Sequence, residues 1–179
     1  MNVNFFVTCI GDAFKSRMAQ KSVLLLEQLG CNVHFPEKQG CCGQPAINGG
    51  YVRDAIPGMK NLISSLEEND WPVVSPAGSC TYTIKNYARY LSEEPEWAAR
   101  AEKVAERLHD LTSFIVNHLG ITDVGAKLNG RAVYHPSCSL SRKLGVTREP
   151  LCYLRMYRGL SYCRFTLRKR AAGLAAHSL

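Results

Sequence analysis

Two cysteines stand side by side in this chain, Cys41 and Cys42, set between Gly40 and Gly43 in the stretch "KQGCCGQPAINGG". Adjacent cysteines rarely bridge one another, because a disulfide tolerates only narrow distances and dihedral angles. Their glycine and proline neighbours argue against core filler. The pair reads as two thiolates directed at a shared third party, a metal or an iron–sulfur cluster, with further ligands supplied from elsewhere. Between Cys9 and Cys41 lie 31 residues, and between Gly43 and Cys80 lie 36. Four soft thiolates satisfy either an iron–sulfur cluster or zinc. The long spacings count against a zinc finger, whose ligands come as close Cys-x-x-Cys pairs. A metal-free cluster of thiols is the third reading.

Something must bring these distant residues together. "NVNFFVT" is a short β-prone run ending at Cys9, and residues 13–29 suit a helix stopped at Gly30. "CNVHF" reads as a second strand and leads into the loop of residues 36–50. "YVRDAIPGMKNLISSLEEN" has helical patterning, with Pro57-Gly58 expected to kink or interrupt it. "WPVVSP" is a third strand, running into "AGSC" and Cys80. Helices are expected over about residues 81–90 and 95–119, and "RAVYHP" as a fourth strand just before Cys138. Strands alternating with helices predict an α/β fold: a layered, largely parallel sheet with helices on its faces. Ligands collect beyond the carboxyl ends of such strands. Cys9, Cys80 and Cys138 each fall there, the latter two placed at helix N-termini where the backbone field favours a thiolate.

The apolar and charged fractions, 46% and 21%, are those of an ordinary globular chain of 179 residues, but eight cysteines exceed chance core usage. "MNVNFFVTCIGDAF" shows no basic segment followed by a long apolar one, and no run approaches the ~18 apolar residues of a membrane span. A cytoplasmic location is therefore expected, where thiols serve metals or catalysis more than disulfides. Of the net charge of +7, six units come from Arg155, Arg158, Arg164, Arg168, Lys169 and Arg170, in a stretch without acids, while the first 150 residues are nearly neutral. Nucleic-acid binding through this basic tail is the weakest reading, because the body does not share the charge.

The array Cys9, Cys41-Cys42-Gly43, Cys80, together with "SPAGSC" and "VYHPSCSL", resembles the cysteine-rich CCG-domain family. That family includes a component of heterodisulfide reductase, the iron–sulfur subunits of glycolate oxidase, and the lactate utilization protein A group. The likeness is greatest to the last and runs almost continuously over residues 1–150. It implies two tandem cysteine-rich halves holding iron–sulfur centres, of the [4Fe-4S] kind, that pass on electrons from L-lactate or a related 2-hydroxy acid. By position it assigns Cys9, Cys41, Cys42 and Cys80 as ligands of the first half and Cys138 as the opening ligand of the second. It also implies iron–sulfur and accessory partner proteins, so the chain is a component of an oxidoreductase rather than an enzyme by itself. Peripheral membrane association would come only through those partners. The alternatives are a zinc-stabilised interaction module and an inactive fragment. No Gly-x-Gly-x-x-Gly fingerprint occurs, so hydride removal is expected on a partner. The fullest family motif ends Cys-x-x-Cys; here "CTYT" puts Thr83 last, against a five-thiolate noncubane cluster.

"FFVTCIGDAFKSRMA" and "AVYHPSCSLSRKLGV" form a faint repeat of strand, cysteine and basic helix. The expected layout is a first cysteine-rich half over residues 1–130, the start of an incomplete second half over 131–150, and a basic, poorly ordered tail over 151–179. A full second copy needs roughly another hundred residues. Read one base out of register, "RAAGLAAHSL" is compatible with a second Cys-Cys-Gly element, which predicts that residues after about Pro150 are a frameshifted translation. Cys31 reads as a core thiol, and Cys152 and Cys163 receive no role. His34, His109 and His118 lack ligand spacing, and His135 suits a strand-end hydrogen bond. Ser79 and Ser137 suit turns beside their cysteines.

Overall fold

The computed structural model describes residues 1–164. Four short strands make one parallel sheet: β1 (Asn2–Phe5), β2 (Asn32–His34), β3 (Val73–Ser75) and β4 (Leu108–Asp110), in the order β2-β1-β3-β4. Side chains alternate between its faces, as the pleat requires. Val3, Phe5 and Val74 join Ala19 and Leu26 of α1 (Cys9–Gln28), with Phe114 and Ile115, in one core cluster. Phe6, Val73 and Leu108 join the opposite cluster, built on α3 (Val52–Leu66) and on α4–α6 (Gly78–Lys85, Tyr87–Tyr90 and Pro95–Glu106). A five-residue α2 (Gln44–Asn48) completes that side. The fold is the expected α/β sandwich of helices around a parallel sheet.

The topology places the site. From β1 the chain moves out to β2, then crosses back to β3 on the other flank of β1. The carboxyl ends of β1 and β3 therefore border a point where the winding direction reverses, and such switch points form the ligand crevices of open α/β sheets.

Three elements differ from expectation. The helix expected over 95–119 ends at Glu106, and β4 follows. There Val73 N–H bonds to the Arg107 carbonyl at 2.8 Å, and the Arg107 guanidinium donates to the carbonyls of Leu66 and Trp71 at 2.5 and 2.8 Å. Sheet pairing overrides local helix propensity. Asp110 then restarts the chain as the N-cap of a short α7 (Leu111–Ser113), accepting from Thr112 N at 2.9 Å and Ser113 N at 3.3 Å. Second, α3 runs through Pro57 without interruption. Its residues Ala55, Met59, Leu62, Ile63 and Leu66 form a single buried stripe at helical spacing, whose burial outweighs one missing donor.

Third, the "RAVYHP" strand forms, but outside the main sheet. It is β5 (Lys127–Tyr134), paired in parallel with β6 (Arg158–Arg164) in a separate two-stranded sheet. A π-helical turn (Ser139–Lys143) and α8 (Glu149–Met156) lie between the two strands. Of the basic tail, residues 151–156 belong to α8 and residues 158–164 to β6. The frameshift expectation for "RAAGLAAHSL" falls on residues outside those described. No described helix is long and apolar enough to cross a membrane.

Candidate metal centre

Cys9 follows β1 as the first residue of α1, presented by an unusual residue. Thr8 is buried and has φ +70° and ψ 145°, and among the described residues it is the only non-glycine with positive φ. A β-branched residue held there stores about 1–3 kcal/mol of strain, and such strain gathers at functional sites. The conformation lets Thr8 Oγ1 accept from Gly11 N at 3.1 Å, which caps α1 and fixes the direction of Cys9. Gly11 is required by this contact, since a Cβ there would meet Thr8 Oγ1 at 2.8 Å.

The loop with the vicinal pair is fastened by three side chains. Gln39 Oε1 accepts from Val7 N at 2.9 Å and its Nε2 donates to the Phe5 carbonyl at 3.2 Å, so the loop is tied to the end of β1. Asn61 Nδ2 donates to the Lys38 carbonyl at 2.9 Å. From beneath, the fully buried Tyr87 hydroxyl donates to the Cys42 carbonyl at 2.8 Å. Gly43 then turns the chain into α2 with φ +75°, and a Cβ there would stand 3.2 Å from the Ala55 Cβ. Cys80 sits in the first turn of α4, just past β3.

The structure brings Cys9, Cys41, Cys42 and Cys80 onto one cavity of about 220 Å³ at the switch point. Cys9 Sγ donates to Cys41 Sγ at 3.4 Å at the exposed rim, while Cys42 is 2% exposed and Cys80 half-buried. Among the described residues no three His, Cys, Asp or Glu side chains already stand in metal-binding geometry. Electrostatics separate the inner pair. Hydrogen bonding to Cys80, then burial, raise Cys42 far above the ordinary thiol value. Cys80 is lowered, chiefly by the bond it receives from Cys42 and against its own burial. Burial, then the bond to Cys41, raise Cys9. The cavity wall contains Lys15 and no carboxylate. All-sulfur donors, one thiol already biased toward thiolate and no competing anion are the chemistry of a thiolate-held metal or cluster, and the four residues fit such a group.

Cys138 is exposed and is not among the residues lining this cavity. The segment after it packs on α4: Leu140 lies against Gly78, and Lys143 Nζ is 4.5 Å from the Tyr82 ring centroid. Cys31 is 6% exposed in the core beneath α1. Cys152 is half-buried and Cys163 exposed. His34 meets Trp71 edge to face at 5.7 Å, and His109 lies 5.4 Å from His118, both away from the thiols. Sequence reasoning missed Thr8, Gln39 and Tyr87. The first two had a signal: hydroxyl and amide side chains next to the cysteines are natural local hydrogen-bonders. Tyr87 had none, since its partner is 45 residues away.

The sequence model of the CCG family, "Cysteine-rich domain", matches residues 3–85. An uncharacterised protein of Escherichia coli (strain K12), YkgE, is 70% identical over 97% of this chain and 72% of its own length. Lactate utilization protein A of Bacillus velezensis is 49% identical over 89% of this chain and 67% of its own, and that of Bacillus subtilis (strain 168) 47% over 90% and 68%.

Proposed function

Because the chain belongs to the cysteine-rich CCG-domain family, with lactate utilization protein A among its relatives, we propose that it is an iron–sulfur electron-transfer component of a system oxidising L-lactate or a related 2-hydroxy acid. The observation that carries this reading is the meeting of four thiols, from three separate loops, on one carboxylate-free cavity at the switch point. Cys9, Cys41, Cys42 and Cys80 would hold the group, a [4Fe-4S] cluster, which when bound supplies one-electron chemistry. The chain's own residues supply position and environment. Thr8 caps the turn that presents Cys9, Gln39 ties the vicinal-cysteine loop to the end of β1, and Tyr87 holds the Cys42 backbone from the core side. Lys15 offsets the negative charge of the thiolates, and Ile10 and Met18 make the rim apolar. Cys138 is assigned to a second centre in the following cysteine-rich half, and partner proteins in the cytoplasm perform hydride removal.

Zinc is the competing occupant, because four thiolates suit it equally. Anaerobic purification followed by iron, acid-labile sulfide and zinc assays decides between them. Iron and sulfide in similar amounts, with a visible charge-transfer absorbance bleached by dithionite and absent in Cys41→Ser, support the proposal. Colourless protein carrying one zinc and no sulfide overturns it.

A further inference from the structure

Helix α1 has two apolar sides, and only one is used. Ala19 and Leu26 are buried against the sheet. Ile10, Phe14 and Met18 are 61%, 79% and 62% exposed, and Ile10 and Phe14, four residues apart, share one face of the first turns. A helix apolar on opposite sides is one that packs on both. Lys15 departs from helical geometry (φ −130°, ψ 31°), re-aiming the first turns of the helix, yet all three apolar residues remain outside.

Two further observations say what covers this face. It is continuous with the thiol cavity, since Ile10, Lys15 and Met18 also line that cavity. Its flanks are basic: Lys15, Arg17 and Lys21 are exposed, against Asp12 alone, and none of the three cations takes part in an ion pair among the described residues. A second copy of this chain would bring the same positive charges together. A lipid surface favours a broad apolar face, whereas this one is only three side chains. An apolar anchor ringed by charge is the pattern of a protein contact with an oppositely charged rim.

We propose that the outer face of the first half of α1 is the docking surface for an acidic electron-carrier protein, seated over the mouth of the four-thiol cavity. The proposal rests on the electron-transfer reading above and extends it to the partner. Hydroxy-acid oxidation releases electrons, so the carrier would be the acceptor: its own prosthetic group would take up one electron given up by the group that the four cysteines would hold, with no bond made or broken. Positive charge along the rim steers an acidic protein toward the cavity, and Phe14 anchors it.

The test is calorimetric titration of the anaerobically prepared full chain with an acidic flavodoxin at low and high salt. Binding is expected at low ionic strength and weakens as salt screens the rim. Phe14→Ser is expected to lower affinity roughly tenfold, the scale of an anchor residue, and the double variant Arg17→Glu/Lys21→Glu by at least as much. Far-ultraviolet circular dichroism and iron content should be unchanged in both, since none of the three residues lines the cavity. No wild-type binding, or equal binding by wild type and variants, overturns the proposal. So does Phe14-dependent binding to phosphatidylglycerol vesicles without flavodoxin binding, or a Phe14-dependent dimer in sedimentation. Iron and sulfide present without flavodoxin binding sinks the docking surface alone. Phe14-dependent flavodoxin binding by protein free of iron sinks the iron–sulfur assignment alone.

Discussion

The same local device occurs twice in this molecule and has different consequences. At the end of β1, Thr8 precedes Cys9 and its hydroxyl accepts from the amide three residues on, at 3.1 Å. After β5, Ser137 precedes Cys138 and its hydroxyl accepts from Leu140 N, also three residues on, at 3.4 Å. Cys9 meets Cys41 at 3.4 Å over a sheet whose central strand β3 is wholly buried. Cys138 is exposed, hydrogen-bonded to no other thiol among the described residues, and follows a strand whose first five residues are all exposed. A strand, a hydroxyl cap and a cysteine give a thiol with a direction. They give a site only where a second loop, pinned as Gln39, Asn61 and Tyr87 pin residues 38–42, brings other thiols to meet it.

The sharpest way to break this contrast is metal content. Cys42→Ser is expected to abolish bound iron, since it removes one of the four sulfurs lining the cavity, while Cys138→Ser, outside that lining, should leave the metal of the first centre in place. Anaerobic metal and sulfide analysis of the two variants would merge the regions if Cys138→Ser also emptied the protein. The next largest effect is on stability. Leu62→Ala, in the core under α3, should cost about 2–5 kcal/mol in denaturant unfolding. Val133→Ala on β5, where the side chain is 64% exposed, should stay within ~0.5 kcal/mol. A third pair is smaller. Tyr87→Phe leaves the buried Cys42 carbonyl without its donor and should cost about 1–3 kcal/mol. Tyr162→Phe removes only an exposed contact with Arg155 Nε at 3.3 Å and should be nearly neutral. Equal losses would mean that both regions are held with equal firmness.

Much of the first region was legible because its information is local. The apolar spacing of α3, the strand runs before Cys9 and Cys80, and the Gly-flanked pair each carry their meaning within about a dozen residues. Convergence of the four thiols followed from one general rule about where parallel strands end. What stayed hidden depended on contacts far apart in sequence. Strand β4 exists because Arg107 and Val73 meet, and Leu108–Asp110 alone looks like more helix. Asp110 followed by Thr112 and Ser113 was the readable warning of a helix restart. The pairing of β5 with β6 was hidden for the same reason, since nothing in "RAVYHP" distinguishes the main sheet from a separate ribbon.

The smallest effect tests the seam between the two regions, and pH is the means. His109, on β4, lines a cavity of about 240 Å³ with Lys85, Asp110, Leu144, Gly145, Val146 and Glu149, so both regions contribute to its wall. Burial, then the positive charges of Lys85 and His118, lower His109 below its ordinary value of 6.5, with Asp110 opposing them. The unfolded chain therefore binds a proton more readily than the folded one, and stability rises with pH across that interval. The contribution is complete above the ordinary imidazole value and is lost as the pH falls through it toward the lower folded value. Burial of an uncharged Gln costs no ionisation, so His109→Gln should flatten the fall in denaturation midpoint on mild acidification. If the seam is the part that loosens, amides of residues 139–149 should exchange faster at the acid end while those of α3 keep their protection. Equal acceleration in α3 would show that protonation of His109 weakens the main sheet itself, and the two regions would then unfold as one.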